Sequence, residues 1–127
     1  MPFVLAVDYD DTLFKGSFPE KGSPKLDIIE KVKQFKECGA EIVLWTCREG
    51  WLLEEAVNRC KDFGIEFDAV NENVPSQKEF MKQQLEIGNE FSTHKIFANF
   101  YLDDRAYNLD FFLKINVKAI CDKFNNY

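Results

Sequence analysis

The chain has 127 residues, with 16 basic and 22 acidic side chains, a net charge of −6 and a single histidine. That length is one domain by the usual size relation, and it buries enough surface for a core without help from disulfides or zinc. With 46% apolar and 30% charged residues it is not a disordered chain. Its longest apolar run, Phe3 to Val7, is too short to span a membrane. The acidic balance disfavours non-specific nucleic-acid binding, which depends on Lys and Arg neutralising phosphates, although a local basic patch is not excluded.

Phe3 to Val7 is short, uninterrupted and partly β-branched, and it predicts a strand buried on both faces that stops at Asp8. Residues 14–24, with Gly16, Pro19, Gly22 and Pro24, read as a loop. Leu26, Ile29, Val32 and Phe35 mark one face of a helix, with Gly39 where a left-handed cap residue belongs. Ile42 to Trp45 reads as a second buried strand ending at Thr46. Leu52, Leu53, Ala56, Val57, Cys60 and Phe63 trace a second helix closed by Gly64. Ile65, Phe67 and Val70 suggest a weaker strand. Pro75 and Ser76 open a third helix containing Phe80, Met81, Leu85 and Ile87, with Ser76 as N-cap and Gly88-Asn89 as its end. Ile96 to Leu102 reads as a fourth strand stopping at Asp103, and the tail from Phe111 predicts a last helix near 114–124.

Alternating strands and helices predict an α/β fold, a three-layer Rossmann-like parallel sheet with helices on both faces, in one domain over 1–127. Right-handed crossovers put successive strand ends on one side, and ligands bind beyond the carboxyl ends where strand order reverses. Chemistry is therefore expected just after Val7, Trp45 and Leu102. Asp8-Tyr9-Asp10-Asp11-Thr12, Thr46-Cys47-Arg48 and Asp103-Asp104-Arg105 stand at those places. So many carboxylates in one site repel one another, and a divalent cation relieves the repulsion. An all-oxygen donor set favours Mg2+ over zinc. The cation also lets an anionic phosphoryl group approach. Asp8 and Asp10, two apart at a strand end, can point the same way, one attacking phosphorus while the other handles the proton.

The ordered set, a strand then DxDxT (Asp8, Asp10, Thr12), a strand then Thr46, a lysine, and a strand then Asp103-Asp104, resembles the haloacid-dehalogenase-like (HAD) superfamily of phosphotransferases. The stretches 42–50 and 95–105 resemble its small capless bacterial and phage hydrolases more closely, and the resemblance runs from about Phe3 to Arg105. It implies a magnesium-dependent phosphomonoester phosphatase working through an aspartyl-phosphate. It makes Asp8 the nucleophile and a metal ligand. Asp10 becomes the general acid/base and a metal ligand through its backbone carbonyl. Thr46 is implied as the hydroxyl that binds the phosphoryl group, and Lys95 as the lysine that balances charge, with Lys78 as its rival. Asp103 and Asp104 supply the acidic metal ligand, Asp103 favoured first.

Three features depart from that pattern. Asp11 stands where relatives commonly have Gly, Lys95 lies close before Asp103, and Asn99 replaces an expected Asp. Neither interval between motifs has residues to spare for a cap domain, so an open site is expected, shielded by the 14–24 loop and its exposed Phe14 and Phe18. An open site suits a large substrate, or a second subunit that excludes water, so a homo-oligomer is among the expectations. The phosphorylated substrate itself is of unknown class.

Other residues have plainer readings beside these. Thr12 is a substrate-contact candidate, whereas Arg48 and Arg105 either grip a distal phosphate or pair with neighbouring carboxylates. His94 is expected on the surface, and Trp45 and Trp51 in the core or site wall. The four cysteines lack CxxC spacing; without a charged leader ahead of an apolar segment, they are expected as reduced thiols in a cytoplasmic protein. Two rivals to the hydrolase remain: a non-catalytic phospho-acceptor switch, and a partner-binding module that keeps the metal site.

Overall fold

The computed structural model describes residues 2–16, 18–85 and 94–125. In chain order the strands are β1 (Val4–Val7), β2 (Phe14–Lys15), β3 (Ser23–Pro24), β4 (Glu41–Leu44), β5 (Ala69–Val70) and β6 (Phe100–Leu102). The helices are α1 (Leu26–Glu37), α2 (Gly50–Asp62), α3 (Pro75–Leu85), α4 (Leu109–Lys114) and α5 (Val117–Asn125). Four strands form one parallel sheet in the order β5-β4-β1-β6.

That order follows from the handedness of the crossovers. Two successive right-handed crossovers, through α1 and α2, carry the chain from β1 to β4 and on to β5 in one direction. The third, through α3, returns past β1 to place β6 on its other side. Helices therefore sit on opposite faces. Leu5, Val7, Ile42 and Leu44 pack with Ile28, Ile29, Val32 and Phe35 of α1, Ala56 and Cys60 of α2, and Phe112 of α4. Val4, Ala6, Val43 and Ala69 point the other way, into a smaller cluster with Val74 and Ile96. The alternation along β1 is the period of two expected of a strand, and all four of its residues are buried. The expected α/β three-layer architecture is what the chain adopts, with the strand order reversing between β1 and β6.

Local details differ from the sequence reading for identifiable reasons. The 14–24 loop contains a short antiparallel pair, β2 with β3, and a cis Phe18–Pro19 peptide. Phe14 is buried, stacked on Tyr9 with ring centroids 4.8 Å apart, so of the two aromatics expected on the surface only Phe18 is exposed. The apolar face of α1 is Ile28-Ile29-Val32-Phe35, and Leu26 points to solvent because it opens the helix. Strand β6 has three residues, shorter than expected. Asn99 extends its pairing, since its N–H donates to the Val4 carbonyl and its side-chain oxygen accepts the Val4 N–H, at 2.7 and 2.8 Å. Ser76 is not an N-cap: its hydroxyl donates to Glu41 Oε1 at 2.8 Å. Gly39 and Gly64, with φ of +103° and +92°, follow α1 and α2 as left-handed cap residues. Ile87, Gly88 and Asn89 lie outside the described residues.

The tail forms two helices rather than one. Helices α4 and α5 cover α1, with Phe112 stacked on Phe35 and Phe124 edge-on to Phe3. This packing joins Cys38, at the end of α1, to Cys121 of α5 in a disulfide across 83 residues of chain. The expectation of four reduced thiols is corrected there, because spacing in sequence did not report a proximity created by the tail. Cys47 is exposed and Cys60 buried, and burial pushes the Cys60 thiol up to about 12. Among the described residues no helix is long and apolar enough to cross a membrane.

The thiolate is the reactive form, so alkylation of the native, unreduced protein should label Cys47 alone. Cys60 should react only after unfolding, and Cys38 and Cys121 only after reduction. Peptide mass mapping reads all three, and three or four labels on the native protein would contradict this arrangement.

Candidate active site

The carboxyl ends of β1 and β6 lie side by side, because Val7 pairs with Leu102 and the Asp8 N–H donates to the Leu102 carbonyl at 3.0 Å. The next residues in both strands are acidic. Asp8, Asp103 and Asp104 each offer a carboxylate oxygen, and these atoms all lie within 4.8 Å of one another. Each carboxyl is held by a neighbouring donor. Asp8 Oδ1 accepts the Tyr9 N–H at 2.8 Å, and Asp103 Oδ1 accepts the Arg105 N–H at 2.9 Å. Asp104 is gripped twice by Thr12: its N–H donates to Oγ1 at 3.0 Å, and Oγ1 lies 3.3 Å from its Oδ1.

Burial, with neighbouring charge added to it, acts on Asp8. Burial pushes its carboxyl up to about 7 from 3.8, and the charges of Asp103, Asp10 and Asp104 push further, against the Tyr9 N–H, which lowers it. An all-oxygen group of three carboxylates, one of them reluctant to ionise, suits a small hard cation such as Mg2+, which favours the ionised form.

The other expected residues take separate places. Asp10 is not one of the three clustered carboxylates. Both of its oxygens are held by Arg48, Nε to Oδ2 at 2.9 Å and Nη2 to Oδ1 at 2.7 Å. Arg48 is 2% exposed, so it braces Asp10 from inside the fold. Thr12 is fully buried and fixes the Asp103–Asp104 turn from beneath. Thr46 stands just past β4, its N–H bonded to Asn71 Oδ1 and its hydroxyl accepting the Arg48 N–H.

Lys95 lines a cleft of about 470 Å³ on the α3 side, with Asn73, Gln77, Met81, Phe97, Ala98 and Tyr101. Among the described residues, no acidic side chain lines that cleft. Lys78, its rival, lies on α3, 3.5 Å from Glu72. Arg105 is exposed on the short 3-10 turn Asp104–Ala106, and His94 is exposed as expected. Trp45 and Trp51 are exposed, not buried as core residues. Asp11 has φ of +59°, a conformation that explains why Gly suits this place; its Oδ1 accepts the Gly16 N–H.

Two positioning residues escaped the sequence reading. Asn71, at φ +54°, orients the Thr46 amide. Asn108 accepts the Asp103 N–H and donates to the Tyr101 carbonyl, closing the turn that carries the acidic pair. For Asn71 the available signal was an Asn directly after a strand, where its side chain can bond neighbouring backbone; Asn108, six residues past Leu102, carried no such signal.

Two outcomes follow. In the metal-free protein Asp8 keeps its proton to higher pH when folded than when unfolded. Its contribution to stability is therefore complete below about pH 4 and is lost as pH rises through about 7. Asp8→Asn, uncharged and of the same shape, should melt above wild type at pH 8 without metal, by about 4 °C per kcal/mol relieved, and the gap should close at pH 4. Equal melting at pH 8 would contradict the cost of ionising the buried Asp8 carboxyl. Thr12→Val should cost about 1–3 kcal/mol in denaturant unfolding by stranding the Asp104 amide; an unchanged midpoint would remove that role.

No protein-family model matches the chain, and no curated protein matches it. A solved structure, that of a conserved protein from Bacteroides thetaiotaomicron, is similar, with a TM-score of 0.66 and 30% sequence identity. The match covers 83% of this chain and 78% of that one. On that identity and coverage, the chain belongs to the same family as the Bacteroides conserved protein.

Proposed function

We propose that the chain is a phosphohydrolase that acts on phosphomonoesters with a divalent cation, through phosphorylation of Asp8. The observation that carries this reading is the meeting of Asp8 with Asp103 and Asp104 at the carboxyl edge, where strand order reverses. The order of motifs, similar to that of capless HAD-like hydrolases, supports it. Bound Mg2+ would neutralise charge on the carboxylates and on the phosphoryl oxygens.

The chain's own residues account for the remaining steps. Ionised Asp8 attacks phosphorus, the P–O ester bond breaks, and the leaving oxygen takes a proton from Asp10. Water then attacks the phosphorus of the aspartyl-phosphate and gives its proton to Asp10, and the P–O bond to Asp8 breaks to release phosphate. The Thr46 hydroxyl would hold a phosphoryl oxygen. Asp103 and Asp104 would hold the cation beside Asp8, and Arg105 would supply positive charge near them.

One observation favours a second reading, the phospho-acceptor. Both Asp10 oxygens are occupied by Arg48. If that hold never loosens, Asp8 takes a phosphoryl group and keeps it. The lifetime of phosphorylated Asp8 separates the two readings.

A panel of phosphate esters that includes an aryl phosphate should show turnover with Mg2+ and none with a chelator. Asp8→Asn should remove turnover by about a thousandfold or more while the chain stays folded. Absence of metal-dependent turnover across the panel, with Asp8 labelled for hours by a small phosphodonor, would establish the acceptor instead.

A further inference from the structure

The carboxyl edge of the sheet carries an aromatic side chain that the proposed chemistry does not use. Val7 pairs with Leu44, and the Trp45 N–H donates to the Val7 carbonyl at 2.8 Å. Trp45 is therefore the residue beside Asp8 on the neighbouring strand, about 5 Å away between backbones. Val7 and Leu44 both enter the α1 cluster, as does Leu102. Alternation along a strand sends the next residue of each, Asp8, Trp45 and Asp103, toward the opposite face. Tyr9 returns to the α1 cluster, as that alternation requires. The indole thus stands on the same side of the sheet as the carboxylates that would hold the cation.

Nothing in the core absorbs this ring. Trp45 is 39% exposed, and among the described residues it joins neither buried cluster and no stacked ring pair. On the other flank of Asp8, past β6, Tyr107 ends the turn that carries Asp103 and Asp104. It is 95% exposed and sits at φ +54°, a left-handed conformation that is unfavourable for an L residue with a side chain. Two bare rings therefore border the acidic edge, one on each side. An exposed indole is disfavoured in water, and a flat solute laid against it relieves that exposure.

The acidic edge limits what that solute can be. Its phosphate end is drawn to the cation, whereas the rest of the molecule gains nothing from carboxylates. A flat ring gains from stacking, and every nucleobase has a π-face that a bare sugar phosphate lacks. The net charge of −6 opposes a long polyanion, so a single nucleotide is favoured over the end of a strand. We propose that Trp45 stacks the base of a nucleoside monophosphate whose phosphate lies at Asp8, and so selects nucleotides among phosphomonoesters. This rests on the phosphohydrolase reading and deepens it by naming the class of substrate. Trp45 lowers KM and leaves the chemistry at phosphorus alone.

The test uses the full chain and Mg2+, and compares adenosine 5′-monophosphate with ribose 5-phosphate, the same ester without its base. Wild type should show a KM about tenfold lower for the nucleotide. Trp45→Ala should erase that difference by raising the nucleotide KM, with kcat and the ribose 5-phosphate KM within about twofold of wild type. Trp45→Phe, which keeps a flat ring, should restore most of the preference. An indole that only supported the fold would shift both esters together. Equal KM for the two esters in wild type, or a preference that survives in Trp45→Ala, overturns the proposal. A lower KM for a 5′-phosphorylated oligonucleotide than for the nucleotide overturns the choice of a free nucleotide.

A binding arm needs no turnover. Trp51→Phe leaves Trp45 as the one tryptophan of the chain. The phosphonate analogue of adenosine 5′-monophosphate, whose P–C bond is not hydrolysed, should quench its fluorescence saturably with Mg2+, and ribose 5-phosphate should not. No quenching, or equal quenching by both, overturns the stack. If wild type hydrolyses no ester, the phosphohydrolase reading fails by itself, and the quenching still decides whether Trp45 binds a base.

Discussion

The gathering of Asp8, Asp103 and Asp104 at one edge of the sheet is the constraint on which the candidate site depends. Three carboxylates within 4.8 Å are unfavourable unless something holds them there. The parallel pairing of β1 with β6 does the holding. Val7 and Leu102 are pinned in register, so the acidic residues that follow them have little freedom to separate. The strands themselves are bound into buried clusters on both faces of the sheet, so hydrophobic burial supplies the force that keeps like charges together. Strain of this kind at the carboxyl edge is the usual mark of a site shaped for a charged ligand.

Small polar groups finish what the strands begin. Thr12 binds the Asp104 backbone and side chain, Asn108 holds the Asp103 amide, and Asn99 ties the start of β6 to Val4. None of these side chains needs to touch a ligand. They fix the direction of the carboxylates, and direction decides whether three oxygens can serve one ion.

Much of this was legible in the sequence. Apolar runs ending at Asp8 and Asp103 reported both buried strands and their acidic ends, since a run that breaks at a carboxylate leaves few alternatives. Period-three apolar spacing found α1, although it placed Leu26 on the wrong side, because the first turn of a helix has no neighbour beneath it. Less visible was anything set by contacts remote in sequence. The destination of Asp10 depends on Arg48, 38 residues away, and no spacing rule connects them. The Cys38–Cys121 bond depends on how α5 lies on α1. Phe14 was expected outside because glycines and prolines surround it. The short hairpin folds it inward onto Tyr9, where its ring area is worth more than the loop's polarity. Lys95 is a different case: sequence supplies the residue, while the fold sets it in a cleft on the α3 side beside Asn73, Gln77 and Tyr101.

The loop nearest the candidate site is bonded, through the Glu20 carbonyl, to the same Arg48 guanidinium that holds Asp10. The most direct measurement of the central claim is a crystal structure with Mn2+ in place of Mg2+, read by anomalous scattering. One peak coordinated by oxygens of Asp8 and of Asp103 or Asp104 is the result expected. A peak elsewhere, or Asp8 and Asp103 side chains directed apart with no shared ion, would contradict the account.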